Sequence, residues 1–218
     1  MTRTGFDVAL ESLHDDLLRM GSIVEKQIHQ CIEALVNKDE ELALHVIEND
    51  DLVDNLEKEI EDKCIRLIGK EQPLAIDLRT IFTSIKIVTD LERMADHAVD
   101  IAKVVKRLKN QNYIKELIDI PKMASLVEIM IKKALDGFIE GNIDTAYEVC
   151  KMDDEIDAFY KLIFSDLLEI MSNDKATVTQ GTQFLFVSKN LERVADHVTN
   201  ICEWTVYLVT GEQMDLND

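Results

Sequence analysis

Leu91-Glu92-Arg93-Met94-Ala95-Asp96-His97-Ala98-Val99-Asp100-Ile101 returns one hundred residues later as Leu191-Glu192-Arg193-Val194-Ala195-Asp196-His197-Val198-Thr199-Asn200-Ile201. Seven of the eleven positions are identical. Neither copy contains glycine or proline, so nothing in it breaks a helix. Read as a helix, Leu91, Met94, Ala98, Ile101, Val105 and Leu108 recur at three-four spacing and form a core-facing seam. Glu92 and Asp96 stand one turn apart, and Asp100 follows one turn further on. At about 100° per residue these acids fall roughly opposite the seam. The second copy repeats the layout with Glu192, Asp196 and Asn200. Each copy therefore predicts a helix with a core side and a carboxylate side.

A second block is repeated as well. Ala43, Val46, Asp50, Asp51 and Asp54 match Ala146, Val149, Asp153, Asp154 and Asp157 in the same order. Two unlike blocks recurring at nearly one offset signal internal duplication. Only 7 glycines and 2 prolines occur, which argues against a sheet-and-turn fold. The expectation is an all-α chain of two similar three-helix bundles, residues 1–112 and 113–218, each running up, down and up. The first helix is expected over about Asp7 to Val36, with Asn37 and Glu40 spaced as a capping pair for the second. Gly69 marks the end of the second helix, and Pro73 opens the third. Asn110-Gln111-Asn112 is its exit, and the stretch to Pro121 links the halves. Leu126 to Phe138 make a fourth helix, closed by Gly141-Asn142. A fifth ends at Ser172-Asn173-Asp174, and the sixth ends near Gly211.

Charge sorts the partners. With 24 basic and 43 acidic residues the net charge is −19. Such a chain does not neutralise nucleic-acid phosphates and is repelled by an anionic bilayer surface. No run of some 18 apolar residues is present to span a membrane. Asp7, Glu11, Asp15 and Asp16 are unlike a signal peptide, so a cytoplasmic location is expected. Cys31, Cys64, Cys150 and Cys202 lie far apart in sequence with no C-x-x-C, which reads as reduced thiols.

Short turns make consecutive helices antiparallel. Asp50 and Asp54 then lie beside Glu92 and Asp96, with Asp100 near; Asp153 and Asp157 lie beside Glu192 and Asp196, with Asn200 near. Two like charges 4 Å apart repel by about 1 kcal/mol in water and about 4 at an effective dielectric of 20. Four gathered carboxylates need raised pKa values or a counter-charge. An oxygen-preferring cation such as Mg²⁺, Mn²⁺, Fe or Ca²⁺ supplies one. The plain alternative is a solvated acidic face in which Lys103 pairs with Asp100 and Lys189 with Glu192, each worth about 0.3–0.5 kcal/mol. A carboxylate-bridged metalloenzyme, hydrolase or oxidase, is the rival function. Against it, di-iron oxidases need paired E-x-x-H motifs, and only Glu11-x-x-His14 is present. No nucleophile elbow or phosphate loop is found either. The reading is that the chain is not an enzyme.

Several motifs in order carry a family resemblance. They are Asp50-x-x-x-Asp54, Gln72-Pro73-Leu74-Ala75-x-Asp77-Leu78-Arg79, Asp90-Leu91-Glu92-Arg93-x-x-Asp96-His97-Ala98, and Tyr207-Leu208-Val209-x-Gly211. Together they resemble the PhoU family over nearly the whole chain. The resemblance implies two three-helix bundles whose paired E/D-x-x-x-D motifs bind Fe, Mn, Mg or Zn, one cluster per repeat. It assigns Asp50, Asp54, Glu92 and Asp96 to one cluster and Asp153, Asp157, Glu192 and Asp196 to the other, with Asp100 and Asn200 beside them. It further implies a homodimer that negatively regulates phosphate-starvation signalling. Its implied partners are the ATPase subunit of a phosphate ABC transporter and a phosphate-sensing histidine kinase. Two departures stand out. The family usually has Ile-Gly where this chain has Met94-Ala95 and Val194-Ala195, and Asn where it has Asp100.

Overall fold

A computed structural model describes residues 3–216. The helices are α1 (Arg3–Asn37), α2 (Glu40–Glu48), α3 (Asp50–Glu71), α4 (Ile76–Arg107), α5 (Asp119–Glu140), α6 (Ile143–Asn173) and α7 (Val178–Thr210), with a 3₁₀ turn at Lys175–Thr177 before α7. Among the described residues there is no strand. α1, α2/α3 and α4 pack as one three-helix bundle, and α5, α6 and α7 as a second. The bundles meet along two lines, α4 against α7 and α1 against α5. On the second line Gly21 of α1 faces Leu135 of α5 so closely that a Cβ has no room. Residues 1–2 and 217–218, the outer ends of the two expected divisions, lie outside the described residues.

The seam read from the repeat is the core. Leu91, Met94, Ala98, Ile101, Val105 and Leu108 are all buried, as are Leu191, Val194, Val198 and Ile201. From 90 to 102 the pattern of buried, half-buried and exposed positions recurs unchanged over 190–202. The duplication thus holds at the level of packing. Fully burying a side chain of this size contributes about 1.5–3 kcal/mol. The methyls of Ala95 and Ala195 are buried too.

The helix boundaries correct several expectations. Asp39 caps α2, its carboxylate accepting from the Leu42 amide at 3.0 Å. Asn37 is instead the last residue of α1, and Lys38 turns the chain at φ 57°. The second helix is two helices, divided at Asn49, whose side chain donates back to the His45 carbonyl at 2.8 Å. The helix runs past Gly69 to Glu71, and Gln72 takes the left-handed closing position instead. Pro73 stands in the link before α4, which begins at Ile76, while Pro121 sits inside the first turn of α5, where its missing N–H is tolerated. Gly141 and Gly211 close α5 and α7 at φ +62° and +78°, as their positions suggest.

The link between bundles is anchored rather than free. Tyr113 donates its hydroxyl to the Leu35 carbonyl at 2.7 Å and stands edge-on to Phe184, with ring centroids 5.2 Å apart. The Gln180 side chain accepts from the Ile114 amide at 2.6 Å and donates to the Asn112 carbonyl at 3.0 Å. The expected division between 112 and 113 therefore falls in a segment held by both bundles. Leu91→Ala and Leu191→Ala are each expected to lower stability by about 3 kcal/mol. Urea titration followed by helical circular dichroism measures this, and equal losses are expected because the two sites are packed alike.

Candidate metal centres

The acids lie on the flanks of α4 and α7 that face α3 and α6. Asp50, Asp54, Glu92, Asp96, Asp100, Asp153, Asp157, Glu192, Asp196 and Asn200 are all half-buried. Glu92 and Glu192 are the more deeply set, while the side chains of Asp96, Asp100 and Asp157 remain 41–48% exposed. In the first half, burial raises Asp50 above the ordinary carboxylate range, and the charges of Asp54 and Asp96 add to it. Glu92 is pushed up to about 6 by burial, then by Asp96, with Glu57 and Asp54 adding smaller repulsions. Side chains of α3 and α4 therefore share one electrostatic site. Glu57 belongs to that neighbourhood and was not foreseen. Its signal was present: Asp50, Asp54, Glu57 and Glu61 follow four-three-four spacing along α3.

The second half has the same plan. Burial raises Asp153 to about 6, followed by the charges of Asp196, Asp157 and Glu192. Asp196 is raised by burial and then by Glu192. Positions equivalent to Glu57 and Glu61 hold Tyr160 and Phe164, whose rings lie 6.3 Å apart. The second groove is thus closed by aromatics where the first continues as acids.

Basic side chains take part of the load. Arg93 reaches Asp96 at 2.9 Å and Glu92 at 3.3 Å. Lys103 bonds Asp100 at 2.8 Å, Lys161 bonds Asp157 at 2.8 Å, and Lys189 pairs with Glu192. The Lys103 and Lys189 pairings are those of the solvated-face alternative. They leave a remainder. Oε2 of Glu92 is buried and makes no hydrogen bond, the Arg93 approach being poorly aligned. Among the described residues no three His, Cys, Asp or Glu side chains are gathered closely enough to hold one ion. The donors are all oxygens, half-buried and mutually repelling, so they fit Mg²⁺, Mn²⁺ or Fe better than Zn²⁺, which favours nitrogen and sulfur.

The PhoU domain matches this chain twice, over residues 17–105 and 120–205. The chain belongs to the PhoU family. It is 57% identical to the phosphate-specific transport system accessory protein PhoU homolog of Clostridium acetobutylicum across the full length of both chains. It is 39% identical to the corresponding Caulobacter vibrioides protein, covering 94% of this chain and 90% of that one. The crystal structure of the phosphate transport system regulatory protein PhoU from Streptococcus pneumoniae superposes with a TM-score of 0.90 at 33% identity, covering 96% and 99% of the two chains. PhoU from Pseudomonas aeruginosa gives 0.90 at 34%, covering 95% and 100%. These PhoU relatives are accessory and regulatory proteins, not enzymes, and the same holds for this chain.

Within this PhoU chain, Asn200 is engaged across the seam instead of with the acids of α6. Its Nδ2 donates to Oδ1 of buried Asp90 at 3.0 Å, and His197 Nδ1 donates to the same oxygen at 2.9 Å. Asn190 anchors its own amide on the Phe186 carbonyl at 2.8 Å, leaving Oδ1 to accept from His97 Nδ1 at 2.8 Å. The two histidine rings stand 5.7 Å apart between the bundles. Each is hydrogen-bonded to a residue of the other bundle.

The raised carboxyls fix a pH dependence for the metal-free chain. Unfolded, Glu92 and Asp153 titrate near about 4. Folded, both hold protons up to about 6, so the folded state binds more protons in between. Their contribution is present at low pH and lost as pH rises through about 6. Urea midpoints are expected to fall between pH of about 4 and about 6 and to level off above it, and Glu92→Gln with Asp153→Asn is expected to flatten that fall.

Proposed function

We propose that this chain is a cytoplasmic, metal-binding regulator of phosphate uptake and phosphate-starvation signalling. In this reading it links the ATPase subunit of a phosphate ABC transporter to a phosphate-sensing histidine kinase and damps the starvation response. The observation that carries the metal part is the pair of half-buried, oxygen-only acidic grooves, built alike on α3/α4 and α6/α7, in which Glu92 and Asp153 are driven to about 6 by burial and neighbouring acids. The transport part is supported by relatives named as phosphate-specific transport accessory proteins over full-length matches. A docked, peripheral protein also accords with the described residues, among which no helix is long and apolar enough to cross a membrane. The homodimer rests on the family resemblance.

Asp50, Asp54, Glu92 and Asp96 hold the cation of the first half, and Asp153, Asp157, Glu192 and Asp196 that of the second. The cation supplies positive charge between neighbouring helices that otherwise repel. Arg93, Lys103, Lys161 and Lys189 keep the carboxylates partly neutralised. The carboxylate-bridged metalloenzyme is not favoured. The roomier grooves lie elsewhere, one of about 550 Å³ beside Trp204, Tyr207 and Met214 and another along 140–144.

Elemental analysis after loading with Mn²⁺ or Fe and exhaustive dialysis tests the reading. Wild type is expected to retain metal in both halves. Glu92→Ala with Asp96→Ala is expected to lose the share of the first half only, and Glu192→Ala with Asp196→Ala that of the second. Equal retention by all three proteins refutes it.

A further inference from the structure

The four cysteines are separate in sequence, but packing brings two of them together. α6 and α7 run antiparallel, and their register is fixed far from any cysteine. Met171 of α6 lies directly against Gly181 of α7, where an added Cβ would fall 2.7 Å from its Cγ and Sδ. Moving 21 residues back along α6 and 21 forward along α7 leads to Cys150 and Cys202. That is three heptads, so both return to the facing position. The cation of Lys189 over the Tyr160 ring, 5.5 Å from its centroid, fits the same register midway. The two thiols lie within interaction range of each other. Cys202 is fully buried, while Cys150 is half-buried at the edge of the same core.

Packing alone does not call for this pair. The equivalent positions of the first half are Ile47 and Ala102, an apolar contact in the same fold. Cys31 and Cys64 offer a contrast. Both are fully buried, and Cys31 donates its thiol to the Ile28 carbonyl at 3.1 Å. Burial raises Cys64 to about 12. Cys150 differs from both in standing at the edge of the core, half-buried and open to solvent on one side.

We propose that Cys150 and Cys202 form an oxidation site for hydroperoxides, in which Cys150 is the attacking thiol and Cys202 the resolving one. The product is a disulfide between α6 and α7, one turn from Asp153. The Cys150 thiolate attacks a peroxide oxygen; an S–O bond forms, the O–O bond breaks, and the departing alkoxide or hydroxide takes a proton. The Cys202 sulfur then attacks the sulfenic sulfur of Cys150. The S–S bond forms, the S–O bond breaks, and the thiol proton leaves with hydroxide as water. Two thiols lose two electrons and two protons, and one peroxide is reduced to an alcohol, or to water, with a further water released. The attacking thiol is reachable and its resolving partner is already in contact, the arrangement such chemistry needs.

The test uses the full chain with hydrogen peroxide as the probe. Intact mass is expected to fall by two hydrogens, and a proteolytic map is expected to join the Cys150 and Cys202 peptides in a link that dithiothreitol reverses. Cys31 and Cys64 should remain alkylatable after unfolding. Cys202→Ala should stop at a sulfenic acid on Cys150 that dimedone traps, and Cys150→Ser should remove the reaction. Circular dichroism of Cys150→Ser, the less buried position, is expected to match wild type, so that loss of the reaction is distinguished from loss of fold. Oxidation of wild-type Cys150 to the sulfinic acid without a Cys202 link overturns the proposal. So does a link through Cys31 or Cys64, or unchanged thiols under peroxide that oxidises a small-molecule dithiol.

Discussion

The packing of the two long repeat helices, α4 and α7, against each other organises this molecule. α4 and α7 lie antiparallel along almost their whole length. Arg79 donates to the Leu208 carbonyl at 3.1 Å near one end, Asp90 meets His197 and Asn200 near the middle, and Arg107 reaches Gln183 at 3.3 Å near the other end. The two helices of the repeat thus face each other about a pseudo-two-fold axis, with His97 and His197 near its centre. The other helices cover the remaining sides of α4 and α7. The acids, set away from the seam by the helical repeat, then come out on two opposite flanks. Each flank meets the second helix of its own bundle, so each half receives one acidic groove.

Symmetry of packing does not impose symmetry of charge. The first groove is extended by Glu57 and served by Arg93 and Lys103, while the second is bounded by Tyr160 and served by Lys161 and Lys189. Lys189 also lies over the Tyr160 ring. The backbone differs as well. α6 is continuous through the region where Asn49 divides α2 from α3, so Asp50 opens a helix and Asp153 sits within one. A carboxylate in the first turn is favoured by the exposed N–H groups there, whereas Asp153 has no such help. Two grooves of one design therefore compress their charge differently.

The repeat alone fixed the class of fold, because a seam at three-four spacing with no glycine or proline permits little else. The acid flanks were legible for the same reason, since their angle from the seam follows from the helical repeat. Positions governed by local backbone choices were less so. Asn37 and Glu40 have capping spacing, yet Asp39 caps because Lys38 takes the left-handed turn. Gly69 could close a helix, but nothing requires it to when Gln72 accepts φ 49° three residues later. The Asn49 break leaves no mark in a stretch that reads as one periodic helix. Contacts set by tertiary register were invisible: sequence spacing says nothing of Cys150 meeting Cys202, nor of Asn200 turning to Asp90.

That last contact gives the Asp/Asn difference between the two repeats a physical sense. By the duplication, Asp90 and Asp100 of α4 correspond to Asn190 and Asn200 of α7. The antiparallel seam places position 90 against 200, and by the pseudo-symmetry position 100 against 190. Each crossing then pairs one acid with one amide. Had both repeats carried the same residue at these positions, aspartate would oppose aspartate at a buried crossing, or amide would oppose amide with no charge to orient His197. Buried Asp90 instead accepts from Asn200 and His197 together. At the more open crossing, Asp100 is free to bond Lys103 while Asn190 holds His97. The acid–amide exchange is thus seen directly at Asp90 and Asn200, while Asp100 keeps its carboxylate on Lys103 of its own helix.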